Sequence, residues 1–270
     1  MRTPYSRAAV TRTLNSSQLA KTVGMSTASS QLKLVVASKT YSSWSMRPWI
    51  LLKVHRIPFH ETLLKLDHYD DPSKGSFPQD VRAHGGEMTA GKCPILIEAD
   101  GSSVWDSLAI CERIAELRPD LPLWPRNAKA RALARSVVAE MHSGFMDMRS
   151  NLYFNATARY PASMAQKLMQ DKPAVAKDVK RVLQIFDMLL SQFGGPFLFG
   201  KDFTIADAFY APVVGRLVAY DVQVPSRHVG EYVTRIDQLP EFKEWREGAK
   251  AQAAQGDFIK KFEIYAASKL

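Results

Sequence analysis

Two patterns in the chain predict its fold class. Signals for β-strands are confined to the first half, and from Asn127 onward amphipathic helical spacing runs with no strand signal between. A third observation is one stretch, Gly91 to Leu117, that reads strand, turn, strand and helix within 27 residues. Together these predict an α/β layer over residues 32–118, a proline-rich connector over 119–126 and an all-helical portion over 127–270.

The α/β layer is read in order as β-α-β, a loop, then β-β-α. Leu32-Lys33-Leu34-Val35-Val36-Ala37 predicts a buried strand, and Ser38 to Ser45 a polar turn. A helix follows with Ser45 as N-cap and Pro48 in its first turn, where a missing N–H costs little. It stops before Pro58, and Phe59 to Leu66 predicts a second strand. Asp67 to Gly91 is rich in Asp, Pro, Gly and Ser and predicts irregular loop with one short helix. Gly91 to Glu98 is the next strand, Ala99-Asp100-Gly101 a turn, Ser102 to Trp105 a strand, and Asp106-Ser107 the start of a helix closed by Arg118-Pro119.

Beyond the connector, Asn127 predicts the cap of a helix of roughly 20–25 residues, with Ala134, Val137, Val138, Met141, Phe145 and Met148 on its apolar side. Residues 161–171 are weakly helical, and Asp178 to Phe193 is clearly amphipathic. Thr204-Ile205-Ala206-Asp207 opens a helix as a capping box. Shorter helical pieces are expected at Glu241–Gln252 and Lys260–Ala267.

Composition narrows the function classes. The formal charge of +9 includes Arg2, Arg7, Arg12 and Lys21 of a leader, residues 1–31, that contains no acid. The basic residues are neither clustered nor interleaved with aromatics, which argues against nucleic acid as a partner. No apolar run reaches the ~18–20 residues of a membrane span. The leader has the Ser, Thr and Arg content of an organelle transit peptide, which predicts a mitochondrial protein, or a cytoplasmic one if translation starts at Met25. Cys93 and Cys111 are too few for a disulfide framework. Six scattered histidines, with neither a phosphate-binding Gly loop nor Cys-x-x-Cys, give no metal or nucleotide signature.

Three clusters carry chemistry. Tyr41-Ser42-Ser43-Trp44-Ser45 sets hydroxyls beside a helix N-terminus, where a hydroxyl can hydrogen-bond a thiolate and lower its thiol's pKa, or simply cap the helix. Cys93-Pro94 begins a strand; a cis bond there would leave the Cys93 backbone free to pair with a peptide-like ligand, and a trans bond would only start an edge strand. Asp106-Ser107 caps a helix or, with an anion bound, offers one partner for a carboxylate and one for an ammonium group.

The motifs Ser42-Ser43-Trp44-Ser45-Met46-Arg47, Cys93-Pro94, Asp106-Ser107-Leu108-Ala109-Ile110 and Thr204-to-Asp207, in this order, resemble the glutathione S-transferase family of cytosolic type, over about residues 32–265. The resemblance implies a thioredoxin-like N-terminal domain with an all-helical C-terminal domain, glutathione as co-substrate, no metal, and a homodimer. The first motif is most similar to that of the zeta class, with Trp44 in the place of its cysteine. By that likeness Ser42, with Ser43 as neighbour, activates the thiol. Lys92, Cys93 and Pro94 contact the cysteinyl and glycyl parts, and Asp106 and Ser107 the γ-glutamyl group. Trp44, Met141, His142, Phe145 and Arg149 would line the pocket of a small electrophile. The implied activity is glutathione transfer. Its alternatives are cis–trans isomerisation of the maleylacetoacetate isomerase type and a non-catalytic glutathione- or protein-binding module of the same fold.

Overall fold

The computed structural model describes residues 32–65 and 76–255. The leader, His68 and the helical piece expected at 260–267 lie outside the described residues. Among these residues four strands form one sheet: β1 (Leu32–Val36), β2 (Phe59–Leu63), β3 (Ile95–Ile97) and β4 (Ser103–Trp105), in the order β2-β1-β3-β4. β1 runs parallel to β2, with Val35 opposite Thr62. β3 is antiparallel to both of its neighbours, pairing Leu96 with Leu34 and with Val104.

Alternation along the strands sorts the layers. Leu34, Val36 and Leu96 face helices α1 (Ser43–Val54) and α3 (Ser107–Leu117), while Val35 and Ile95 face α2 (Phe77–Gly85) through Val81. The loop expected after Leu66 thus contains α2 and a 3-10 turn at Glu87–Thr89.

Among the described residues seven helices follow: α4 (Ala128–Ser143), α5 (Met146–Asn151), α6 (Ala162–Asp171), α7 (Pro173–Phe193), α8 (Ile205–Ala219), α9 (Arg227–Gln238) and α10 (Pro240–Ala254). Buried residues of α1 and α3 belong to the same apolar core as Phe186, Tyr210 and Trp245 of the helical portion. The proline-rich connector packs into that core through Leu123 and Trp124. At the centre stands α8, apolar on almost every face and contacting α1, α4 and α9.

Several expectations are corrected. The N-cap of α1 is Ser42, whose Oγ accepts from Ser45 N at 3.2 Å; Ser45 lies inside the helix with its Oγ accepting from Ala37 N, which leaves Pro48 in the second turn. The long helix from Asn127 is broken. Gly144 is extended and Phe145 left-handed (φ 56°), yet Phe145 and Met148 stay buried, so the apolar pattern continues across the break. α7 starts five residues early, with Pro173 in its first turn. Helix α9 was not expected, although Val229, Tyr232, Val233 and Ile236 have helical spacing and are buried.

The capping box of α8 forms as expected. Asp207 accepts from Thr204 N (2.8 Å), Leu198 N (2.9 Å) and the Tyr232 hydroxyl (3.3 Å). Burial nevertheless outweighs these bonds and raises its carboxyl from 3.8 to about 6.

Candidate active site

The chain reverses after β1 and enters α1 at Ser42, and the mouth of β3 and the start of α3 close the other side. Between them lies a cavity of about 770 Å³. Its lining includes Ser42, Trp44, Lys92, Cys93, Pro94, Asp106 and Ser107, together with Tyr41, Phe77 and Trp105. Residues separated by some sixty positions thus meet in one place because β1 and β3 are neighbours in the sheet.

Ser42 is half-buried at the cavity wall. Besides capping α1 it lies 2.8 Å from Ser45 Oγ, to which it donates, and Ser45 Oγ accepts in turn from the Ala37 amide. Hydroxyl hydrogens rotate, so the pair reverses once an acceptor arrives: Ser45 then donates to Ser42, and Ser42 donates into the cavity. A donor fed by such a chain is polarised and stronger than an isolated hydroxyl. Ser43, in contrast, is buried; its Oγ takes a 3.4 Å bond from Arg216, and it does not line the cavity.

Across the cavity the Cys93–Pro94 peptide is cis, one of the two geometries left open by the sequence. Burial alone pushes the Cys93 thiol up to about 12, so it is protonated at neutral pH and a poor nucleophile. Lys92 follows Gly91, which has φ +68°; a Cβ there would lie 2.5 Å from Pro78 Cβ, so only glycine lets this loop pass α2.

Asp106 holds the start of α3 with a positive φ of 72°, a conformation rare outside glycine. One carboxylate oxygen accepts from Leu108 N at 2.7 Å, and the other lies 3.3 Å from His142 Nε2. His142 Nδ1 is 3.5 Å from an Arg47 nitrogen. A guanidinium only donates, which makes Nδ1 the acceptor and assigns the ring hydrogen to Nε2, toward Asp106. Burial, opposed by Asp106 and aided by Arg47 and Arg149, lowers the His142 pKa and keeps the ring neutral. Ser107 Oγ accepts from Arg47 at 3.2 Å, so its own hydrogen is free for a ligand.

Behind this wall three arginines gather. Arg47 is buried, and its Nε has no hydrogen-bond partner. Burial, then the charges of Arg149 and Arg216, pull its guanidinium down to about 9. The bonds of Arg149 go to the carbonyls of His142 and Gly144 and to the Met146 sulfur, and those of Arg216 to the carbonyls of Leu152 and Pro212 and to Ser43. Both Arg47 (4.2 Å) and Arg149 (4.6 Å) place their guanidinium carbon over the Trp44 ring, with His142 edge-on at 5.4 Å. Met141 and Phe145 are buried in the shared core, so of the α4–α5 residues only His142 and Arg149 reach the cavity's surroundings, through Asp106 and Trp44.

Arg216 and Phe77 were not singled out from the sequence, and Trp105, next to Asp106, was given no role in the site. A signal existed for Arg216, the lone charge between Asp207 and Asp221 in an otherwise apolar helix. Among the described residues no group of three His, Cys, Asp or Glu side chains is placed to hold a metal ion.

Comparison with known proteins agrees with this fold. Residues 41–117 match the N-terminal domain family of glutathione S-transferases, and residues 171–248 match the C-terminal one. The chain belongs to the glutathione S-transferase family. Over 125 residues it is 29% identical to a probable maleylacetoacetate isomerase of Caenorhabditis elegans, covering 46% of this chain and 55% of that protein. Over 152 residues it is 24% identical to the maleylacetoacetate isomerase of Dictyostelium discoideum, covering 55% and 66%. The matched region is therefore just over half to two thirds of these relatives' length. In fold it resembles a Burkholderia glutathione transferase homologue solved with bound glutathione (TM-score 0.58, 24% identity, 82% of this chain and 99% of the other). A diazinon-metabolizing glutathione S-transferase of the silkworm Bombyx mori is similar to the same degree (TM-score 0.60, 19% identity, 82% and 98%).

Proposed function

We propose that this protein is a zeta-like glutathione transferase in which the Ser42 hydroxyl stabilises the glutathione thiolate for attack on a small electrophile. One observation carries the reading. Ser42 shares a single cavity with Lys92, Cys93, Pro94, Asp106 and Ser107, while Ser43 turns away to Arg216. The Asp106 carboxylate accepts from the ligand's ammonium group. The α3 N-terminus and Ser107 hold the adjacent carboxylate, Lys92 meets the carboxylate at the other end, and the Cys93 backbone pairs with the peptide between. The thiol proton leaves to solvent, and the thiolate, accepting a hydrogen bond from Ser42, gives its electron pair to the electrophilic carbon, whose π bond opens toward an electron-withdrawing group that then takes a proton from solvent, or whose leaving group departs with the bonding pair.

The arginine cluster favours an anionic electrophile. Arg149 is half-buried against Trp44, and a carboxylate beside that ring would offset the repulsion among Arg47, Arg149 and Arg216. The isomerase-type alternative fits the same site: the sulfur adds to a cis double bond, the new single bond rotates, and the sulfur leaves. The two similar maleylacetoacetate isomerases favour that second reading.

The test uses purified full-length chain: retention on immobilised glutathione, then turnover with a carboxylate-bearing cis-enone and with a neutral electrophile. Retention with turnover of the acid supports the proposal. Failure to bind glutathione overturns it, and binding without turnover of either compound leaves the non-catalytic module. We also propose a homodimer and import directed by residues 1–31, read by light scattering and by fluorescence imaging of the full chain and a Met25 start.

A further inference from the structure

The turn that presents Ser42 is gripped from the opposite end of the sequence. After β1 the amides of Tyr41 and Ser42 both donate to the Ser38 carbonyl, at 3.3 and 2.8 Å, so Ser42 moves with residues 38–41. The Lys39 peptide is held on both sides by α10: its N–H donates to Gln252 Oε1 at 2.7 Å, and its carbonyl accepts from Trp245 Nε1 at 2.8 Å. Thr40 adds two bonds to the helical portion, from its hydroxyl to the Ala249 carbonyl (3.4 Å) and from the Ala156 amide to its own carbonyl (3.0 Å).

The Lys39 side chain locks the grip. Its ammonium lies 5.0 Å from the Trp49 ring centroid and 5.5 Å from that of Trp245, and pairs with Glu61 of β2 at 2.7 Å. It crosses α10 at Gly248, where a Cβ would come within 2.7 Å of Lys39 Cδ. Lys39, Trp49 and Trp245 are all buried, so none of these partners is readily replaced by water.

We propose that Gln252 and Trp245 are positioning residues: α10 sets where the Ser42 hydroxyl points, although Gln252 and Lys39 are 213 positions apart in the chain. The inference rests on the reading that Ser42 serves the thiol. Apolar packing alone could hold α10 against α1, yet four polar bonds, three of them to α10, converge on two consecutive residues of the turn, Lys39 and Thr40. Displacing a reacting group by about 1 Å is enough to cost on the order of a hundredfold in rate.

The test compares Gln252→Leu, Gln252→Glu and Trp245→Phe in the full-length chain, reading the pKa of bound glutathione by thiolate absorbance and hydrogen–deuterium exchange across residues 38–45. Gln252→Leu and Trp245→Phe should speed exchange in that segment and raise the bound thiol's pKa by about one unit, a loss of thiolate that reaches about tenfold at pH values well below that pKa. Gln252→Glu keeps an acceptor for the Lys39 amide and should restore both. Phe242→Leu loosens the same helix on its Gly215 side and should leave the thiol where it is. Wild-type exchange and an unshifted thiol in both Gln252→Leu and Trp245→Phe overturn the inference. Failure of the underlying reading appears elsewhere, as an unshifted thiol in Ser42→Ala, and the exchange data still decide the grip.

Discussion

Replacing Ser42 with alanine removes two things at once, and the structure separates them. As N-cap of α1, Ser42 accepts from Ser45 N, and losing such a cap costs about 1 kcal/mol of stability. In a chain of this size that lowers the melting temperature by roughly 2–4 °C. As donor to a thiolate, the hydroxyl makes a charge-assisted bond of about 1.5–3 kcal/mol. At 1.36 kcal/mol per unit, its loss raises the bound thiol's pKa by about 1–2 units. Thiolate absorbance against pH, recorded with glutathione saturating, measures the second effect without the first. Ser43→Ala is the matched comparison, since its Oγ meets only Arg216, and it should leave the thiol pKa unchanged. A Ser42→Ala protein that melts lower but titrates like wild type would refute the assignment of Ser42 to the chemistry and leave it a cap. A shift in Ser43→Ala alone would move the role by one residue.

Three further outcomes are expected. Arg149→Ala should raise KM for a carboxylate-bearing electrophile about tenfold, the scale of one charge-assisted bond, and leave a neutral electrophile within twofold; equal losses for both would remove the anionic reading. Asp207 holds its proton to about pH 6 in the folded chain against 3.8 for the free carboxyl, so the unfolded state binds fewer protons between those values. Stability, followed by urea denaturation, should fall as pH rises from 4 to 6 and level off above, and Asp207→Asn should abolish that slope. His142 has the opposite sign: its folded pKa lies below 6.5, so stability should fall as pH drops through 6.5, and glutathione affinity with it as the ring loses its acceptor role toward Arg47. Isothermal titration at pH 7.5 and 5.5 checks this, and His142→Gln should flatten the difference.

The order of strands and helices was legible because each element's pattern is local. Val35-Val36 and Ile95-Leu96-Ile97 announce strands wherever they sit in a chain, and the Thr204–Asp207 capping box is complete within four residues. The cap of α1 was less legible, since three serines in four positions can each cap a helix and only tertiary contact decides among them. Ser45 is drawn inward by the Ala37 amide, which leaves Ser42 to cap. The break at Gly144–Phe145 was hidden because both segments keep apolar residues on the same side. The cavity's residues could be named from local motifs, but their depth could not. Ser43 stood next to Ser42 as its neighbour in the motif, and its place in the interior beside Arg216, 173 positions away, is visible only in the fold.

Trp44 also makes the molecule its own indicator. Of five tryptophans, Trp44 and Trp105 line the cavity, whereas Trp49 and Trp245 are sealed against each other at 5.1 Å and Trp124 is buried. An indole 4.2 and 4.6 Å from two guanidinium groups emits according to how closely those charges press on it. A ligand that draws Arg149 away changes the emission of Trp44 and leaves the sealed pair dark to the event. The same spectrum therefore carries an optical signal of occupancy and, in the component that external quenchers cannot reach, a separate signal of the grip on the Ser42 turn.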